Sequence, residues 1–218
     1  MQINNIKKPL FSAYMLSVEE AVKLLEVFKQ KHAETSHKFA AFVLPLRDGH
    51  IYVGRRNSGY LAGTYSAIGG KVEHRNPSLF SGFDLATESV DLTQLGFEQP
   101  TDAAIRELSE ELYSAEPDYR MWKACEVVKL GVVLDAQSGA KCFLRTVKVP
   151  DIPFRPNPRE LSDIARLVDV AIADINPMTR AALLAIRENM SLQEYHAQIP
   201  KEIPLVYHQT MREWLIQY

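Results

Sequence analysis

Between Ser17 and about Lys31, Ala21, Leu24, Leu25 and Phe28 recur at helical spacing behind a Ser17–Glu20 capping pair, which predicts an amphipathic helix. The period then changes. Phe39 to Leu44 is a short apolar run, Asp48-Gly49 is a turn signal, and Ile51-Tyr52-Val53 resumes the run, so a β-hairpin is expected, ending in Arg55 and Arg56. A glycine-bearing passage from Tyr60 to Glu73 follows, with Gly69-Gly70-Lys71 near its end. Paired glycines let a backbone pass close to a neighbour. Residues 74–97 are mostly polar and acidic, longer than an ordinary connection, with a short helix expected over Leu85 to Leu95.

Asp102 to Ser114 has the clearest helical pattern: Ala104, Leu108 and Leu112 form an apolar line, and Thr101 or Asp102 can cap it. Two strands are expected at Val127 to Leu134 and Cys142 to Val149, joined through Ser138-Gly139. After four prolines, Pro150, Pro153, Pro156 and Pro158, a strand is expected over Ala165 to Ala173 and a helix over Thr179 to Glu188, behind Pro177. Leu205 to Gln217 reads as a last amphipathic helix. The order predicts an α+β fold with helices packed on a mixed sheet.

The chemistry concentrates in Arg106-Glu107-Leu108-Ser109-Glu110-Glu111-Leu112. At 100° per residue, Glu107, Glu110 and Glu111 project to one side of a helix, and their mutual repulsion is relieved by a hard divalent cation. A solvated acidic face is the alternative. Gly69-Gly70-Lys71 upstream favours a phosphate site, because glycine amides can approach oxyanions and Lys71 adds a point charge.

Composition narrows the picture. The chain has 218 residues, 46% hydrophobic and 24% charged, with a formal net charge of −2. That is an ordinary globular composition, and the charge gives no reason to expect a long nucleic acid as partner. Cys125 and Cys142 lack metal-ligand spacing and read as reduced thiols. No apolar run is long enough for a membrane span, and the polar N-terminus resembles no targeting segment, so a cytoplasmic location is expected.

The same residues resemble the Nudix signature: a glycine, five residues, a glutamate, seven residues, Arg-Glu, an aliphatic residue, any residue, Glu-Glu, any residue, glycine and an aliphatic residue. Gly70 stands at its opening, and Glu98, seven intervening residues and Arg106-Glu107-Leu108-Ser109-Glu110-Glu111 match its second half. The chain departs twice. An insertion of about residues 74–97 splits the box, and Tyr113-Ser114 stand where glycine and an aliphatic residue are usual. The resemblance covers about residues 37–175. It implies a Nudix domain over 37–218, with 1–36 as a helical extension packed on it, and a mixed sheet sandwiched between helices.

The resemblance also implies an activity: divalent-metal-dependent hydrolysis of a diphosphate bond in a nucleoside diphosphate linked to another moiety. Mg²⁺ or Mn²⁺ would be held by Glu107, Glu110 and Glu111 with the Gly69 carbonyl. Glu107 or Glu110 is the best general base, Arg106 would orient Glu107, and Glu98 would lie near the metals or pair with Arg106. Lys71, Arg55 and Gly70 would bind the substrate, a small nucleotide, and Glu160 and Asp163 are candidates for a later carboxylate. Tyr65 and Phe39 are candidates to stack on a base. The passage from Arg55 to Lys71 resembles the branch acting on oxidised purine nucleoside triphosphates. The alternatives are a catalytically silent nucleotide-binding Nudix domain and a prenyl diphosphate isomerase, which would need a reactive cysteine. The oligomeric state is open, a homodimer being one option.

Overall fold

The computed structural model describes residues 14–15, 18–35, 39–59, 62–74, 92, 96–114, 122, 125–203, 206–208 and 213–216. The expected capping residue Ser17 and nearly all of the helix expected at Leu85 to Leu95 lie outside them. Three α-helices are present among the described residues: α1 (Val18–Glu34), α2 (Pro100–Tyr113) and α3 (Pro177–Glu188).

A mixed sheet carries them. Its central strands are β2 (Phe39–Arg47), β6 (Val127–Asp135) and β7 (Lys141–Lys148), with β2 parallel to β7 and β6 antiparallel to it. On one flank β3 (His50–Arg56) pairs with β2, β4 (Tyr65–Ser66) and β8 (Leu161–Arg166), all antiparallel, while β5 (Ile68–Lys71) lies antiparallel against the other half of β2. The β2–β3 connection is a two-residue turn in which Asp48 (φ 50°) and Gly49 (φ 70°) are both left-handed, the turn that Asp-Gly favours. On the other flank β10 (Glu213–Ile216) runs parallel to β6 and antiparallel to β9 (Val206–His208), which pairs with β1 (Tyr14–Met15).

Strand alternation divides the apolar residues between two faces. Ala41, Val43, Phe143, Val147, Val132 and Leu134 pack against Ala104, Leu108 and Leu112 of α2. Leu44, Leu46, Leu144 and Val133 pack against Ala181, Leu184 and their neighbours on α3. The sheet is therefore covered by α2 on one face and α3 on the other, the sandwich expected. Phe28 of α1 is buried in the core on the α2 side.

Three sequence expectations need correction. Where a helix is expected over Leu205 to Gln217, the described residues Val206–His208 and Glu213–Ile216 are strands, and Trp214, Leu215 and Ile216 extend the sheet beyond β6. Aromatic and β-branched residues suit a strand wherever a sheet edge offers backbone partners, and a short apolar pattern does not announce that edge. The strand expected at Ala165 to Ala173 starts earlier, at Leu161, and ends at Arg166, beyond which the chain turns through two 3-10 segments, Leu167–Asp169 and Ile172–Asp174. The Arg166–Asp169 ion pair (2.8 Å) closes the first of these. Helix α2 is capped by Gln99 without a side-chain bond, not by Thr101 or Asp102. Pro100, with no N–H to satisfy and a helical φ, opens the helix, and Thr101 Oγ1 accepts from Arg145 Nε instead (3.0 Å).

Candidate active site

Helix α2 lies against β5, and the contact is made by side chains on one part and by missing side chains on the other. A β-carbon at Gly69 would collide with the Ala41 carbonyl oxygen and come within 2.8 Å of Phe42 Cα. A β-carbon at Gly70 would lie 2.5 Å from Oε1 of Glu107. The two glycines therefore meet two different neighbours: Gly69 lets β5 pass close to β2, and Gly70 admits the Glu107 carboxylate against the strand.

The two halves of the split box are joined at the neck of the insertion. Glu98 N donates to Glu73 O (2.9 Å), Glu73 N donates to Glu98 Oε1 (3.0 Å), and His74 and Phe97 form an antiparallel bridge with ring centroids 3.8 Å apart. Chain that leaves at His74 thus returns at Phe97, and Glu98 is delivered beside β5.

Arg106, 2% exposed, is the centre of the polar network. Its Nη2 donates to Glu98 Oε1 and to the Lys71 carbonyl, both at 2.8 Å, and its Nη1 donates to Glu107 Oε1 (2.7 Å) and Glu110 Oε2 (3.3 Å). Burial alone would weaken its proton affinity, but the carboxylates of Glu98 and Glu107 outweigh it and raise the pKa, so the guanidinium is a fixed positive charge.

Glu111 is the member of the trio that Arg106 does not hold. It is 4% exposed, and its Oε2 has no hydrogen-bond partner among the described residues. Burial and the charge of Glu107 push its pKa up to about 8; Glu160 adds to the rise, and Arg56 and the Gly69 N–H oppose it. Burial also raises the pKa of Glu107, against the pull of Arg106. Both carboxylates thus lie where negative charge is under-compensated, and an orphaned buried oxygen is a costly feature unless something binds it. The donor chemistry fits a hard divalent cation. The convergence is incomplete: among the described residues, no three His, Cys, Asp or Glu side chains gather as a ligand set.

Tyr113 and Ser114 stand at the helix exit. Tyr113 stays helical, and Ser114 takes the left-handed conformation (φ 47°, ψ 40°), with its N–H on the Ser109 carbonyl. Arg155 N and Asn157 N bond the carbonyls of Leu112 and Glu111, so the proline-rich connection satisfies the last turn. Buried Trp122 donates to Ser109 Oγ (2.9 Å), which in turn bonds the Ile105 carbonyl.

On the other side of β5 is a cavity of about 350 Å³. Phe39, Phe42, Cys142 and Met178 give it an apolar lining, Arg56 and Asn176 a polar one, and Gly69, Gly70 and Lys71 form the wall towards α2. That wall is one backbone thick. Asn176 Oδ1 is committed to capping α3, accepting from Thr179 N (2.8 Å).

Of the residues singled out for substrate binding, Gly70 and Lys71 line this cavity and Arg55 does not. The Arg55 Nε donates to the Gly63 carbonyl (3.0 Å), bracing the turn behind β3, whereas Arg56 faces the cavity and is close enough to Glu111 to stabilise its charge. Adjacent strand residues point to opposite faces, which divides the pair; the register shift beside them leaves the extra residue, Ser162, on β8. Phe39 lines the cavity; Tyr65 instead donates to Asp163 Oδ2 (2.7 Å). Asp163 is thereby occupied, and Glu160 is the later carboxylate whose charge reaches Glu111. Asn176 and Met178, at the start of α3, carried no signal beyond a helix cap. Burial raises the pKa of both cysteines, Cys142 well above its ordinary value, which favours the thiol over the thiolate.

No protein-family model matches the chain, and no curated protein matches it. Solved structures do. Nudix hydrolases are among the structures it is similar to. A MutT Nudix hydrolase from Burkholderia pseudomallei is 20% identical over 68% of this chain and 94% of its own, with a TM-score of 0.42. A Nudix hydrolase from Nitrosomonas europaea is 16% identical over 84% of this chain and 81% of its own, at 0.49. The Nudix domain of Shewanella oneidensis NrtR, solved with ADP ribose, is 12% identical over 77% of this chain and 92% of its own, at 0.43. No helix among the described residues is long and apolar enough to cross a membrane.

Proposed function

We propose that this chain is a Nudix hydrolase that cleaves a diphosphate bond in a nucleoside diphosphate linked to another moiety. One observation carries the reading: Arg106 ties Glu98, Glu107 and Glu110 to the Lys71 carbonyl, so that both halves of an interrupted signature meet in one buried network.

The residues divide the work. Glu107, Glu110 and Glu111, with the Gly69 carbonyl, would hold Mg²⁺ or Mn²⁺, which when bound polarises linked phosphates and makes water a better nucleophile. Arg106 and Glu98 are positioning residues: Arg106 fixes the Glu107 carboxylate, and Glu98 fixes Arg106. Glu107 and Glu110 are the carboxylates placed to take a proton from the attacking water. Lys71 and Arg56 stand beside Gly70 at the cavity, where their charges offset those of the phosphate oxygens. The cavity takes the organic half of the substrate.

The test is a panel of nucleoside triphosphates (oxidised purines included), nucleotide sugars and ADP-ribose, incubated with Mg²⁺ or Mn²⁺, with both products weighed by mass spectrometry. Two phosphate-bearing products, absent with Glu107→Gln, are expected. Incorporation of ¹⁸O from water then identifies the phosphorus attacked. Metal-independent binding without turnover anywhere on the panel would leave a silent nucleotide-binding domain as the better description.

A further inference from the structure

We propose that Thr35, just beyond helix α1, and the turn between β6 and β7 form one wall of the cavity, and that a clasp between His32 and Gly139, which joins the two, sets which organic group fits there. The proposal rests on the assignment of the cavity to the organic half of the substrate.

The last turn of α1 meets the turn between β6 and β7. Lys31 Nζ donates to the Gln137 carbonyl (2.8 Å), and His32 Nδ1 lies 2.7 Å from the Gly139 carbonyl. A carbonyl only accepts, so His32 carries its proton on Nδ1. The approach is close: a β-carbon at Gly139 would lie 2.6 Å from the Lys31 carbonyl carbon and 2.8 Å from His32 N, and the residue has a φ of 74°. No side chain fits there without parting helix from turn.

The clasp has consequences inside the cavity. One residue beyond α1, Thr35 lines it, with its N–H on the Lys31 carbonyl (2.9 Å), and Asp135 and Ser138 of the clasped turn line it too. The His32 ring stacks on Phe28 (centroids 5.2 Å) and meets the edge of Phe39 (5.9 Å), itself a lining residue. His32 thus ties together α1, the β6–β7 turn and an aromatic wall. Asp135 contributes shape rather than charge recognition, because its carboxylate already accepts from Gln137 N, Ser138 N and Ser138 Oγ. At about 350 Å³ the cavity is near the lower end for small-molecule sites, enough for one nucleoside-sized group.

Two substitutions test this from opposite sides. Thr35→Phe fills the cavity from the wall just beyond α1, and Gly139→Ala forces the clasp open. Both are compared with wild type, after circular dichroism has established folding, by calorimetric titration with the four common nucleoside 5′-diphosphates and with ribose 5-phosphate, without metal. Thr35→Phe should weaken the tightest nucleoside diphosphate by about tenfold or more, and leave ribose 5-phosphate within about twofold. Gly139→Ala should shrink the difference in affinity between the purine and pyrimidine diphosphates. His32→Gln, which can still donate to the Gly139 carbonyl, should retain more of that difference than His32→Ala. Unchanged nucleotide affinities in Thr35→Phe, equal losses for ribose 5-phosphate, or no nucleotide binding by the wild type each overturn the proposal. Metal-free binding is read separately from turnover, so a chain that binds as described but hydrolyses nothing refutes the hydrolase reading and not this one.

Discussion

The carboxylate of Glu107 occupies the space beside Gly70 that a side chain would need, with Oε1 2.5 Å from the position of a β-carbon there. The same oxygen accepts from Arg106 Nη1 at 2.7 Å, so the glycine and the arginine hold the carboxylate from two sides. Gly70→Ala must move Glu107. Displacing a reacting group by about 1 Å costs on the order of 100-fold in rate, while a methyl forced against one flexible side chain costs roughly 1–3 kcal/mol of stability. The expected variant is folded, with turnover down about 100-fold. Steady-state kinetics beside a thermal melt check this; turnover within about twofold of wild type would show that the contact has no part in the chemistry.

Arg106 is the second test. It is buried among three carboxylates, and removing one partner from such a network leaves charges uncompensated, typically at a cost of about 3–5 kcal/mol. Arg106→Leu should therefore lower stability by about that amount, measured by urea unfolding. Arg106→Lys should recover part of it, since an ammonium supplies the charge but not the fork that reaches Glu98, Lys71 and Glu107 together. Adding Glu98→Gln to Arg106→Leu should cost less than the sum of the separate losses, because the orphaned charge is then gone. Strict additivity would contradict the coupling.

How far the sequence spoke for this arrangement depends on the interactions involved. Helical periodicity alone placed Glu107, Glu110 and Glu111 near one another, and Arg-Glu adjacency placed Arg106 beside them. It did not separate their environments: Glu110 has a side chain 41% exposed, and Glu111 is buried with an orphaned oxygen, a difference made by what packs opposite each. The period of two and the Asp-Gly turn gave the β2–β3 hairpin, but not which of Arg55 and Arg56 meets the cavity, because that depends on which face of β3 the rest of the fold covers. The C-terminal strands were illegible because the edge of β6 that they extend lies some eighty residues away in the chain. Tyr113 stands in the usual place of glycine, yet the helix runs through it and the left-handed turn falls at Ser114.

Glu111 links the site to pH. Its folded-state pKa is raised to about 8, above an unfolded value near 4.3. An acid of this kind binds its proton more tightly when folded. Its contribution to stability is therefore complete below about pH 4.3 and is lost as pH rises through about 8. Metal-free wild type should lose on the order of a few kcal/mol between those limits relative to Glu111→Gln, which has no charge to bury. Urea midpoints at pH 5, 7 and 9 in chelator measure the difference (about three values suffice). Mg²⁺ added at about pH 9 should restore stability to the wild type more than to the variant. Parallel pH profiles for the two proteins would remove Glu111 as the source.

The insertion supplies the last prediction. Its ends are bridged at His74 and Phe97, and within it Leu92 is 1% exposed, packed in the core on the α2 side, with its carbonyl accepting from Phe97 N (3.0 Å). Leu92 anchors the return of the chain to Glu98. Leu92→Ala should cost about 2–5 kcal/mol, as for other buried leucines, and should lower turnover as well, because the Glu98–Arg106 bond depends on that return. Replacing residues 76–90 by a short Gly-Ser linker should do neither: both anchors stay, and shortening a closed loop changes its entropy by only about 1 kcal/mol. Urea unfolding and turnover of the two variants, side by side, decide whether Leu92 and the neck or the excised residues matter to the site. A linker variant as impaired as Leu92→Ala would assign the role to the excised segment.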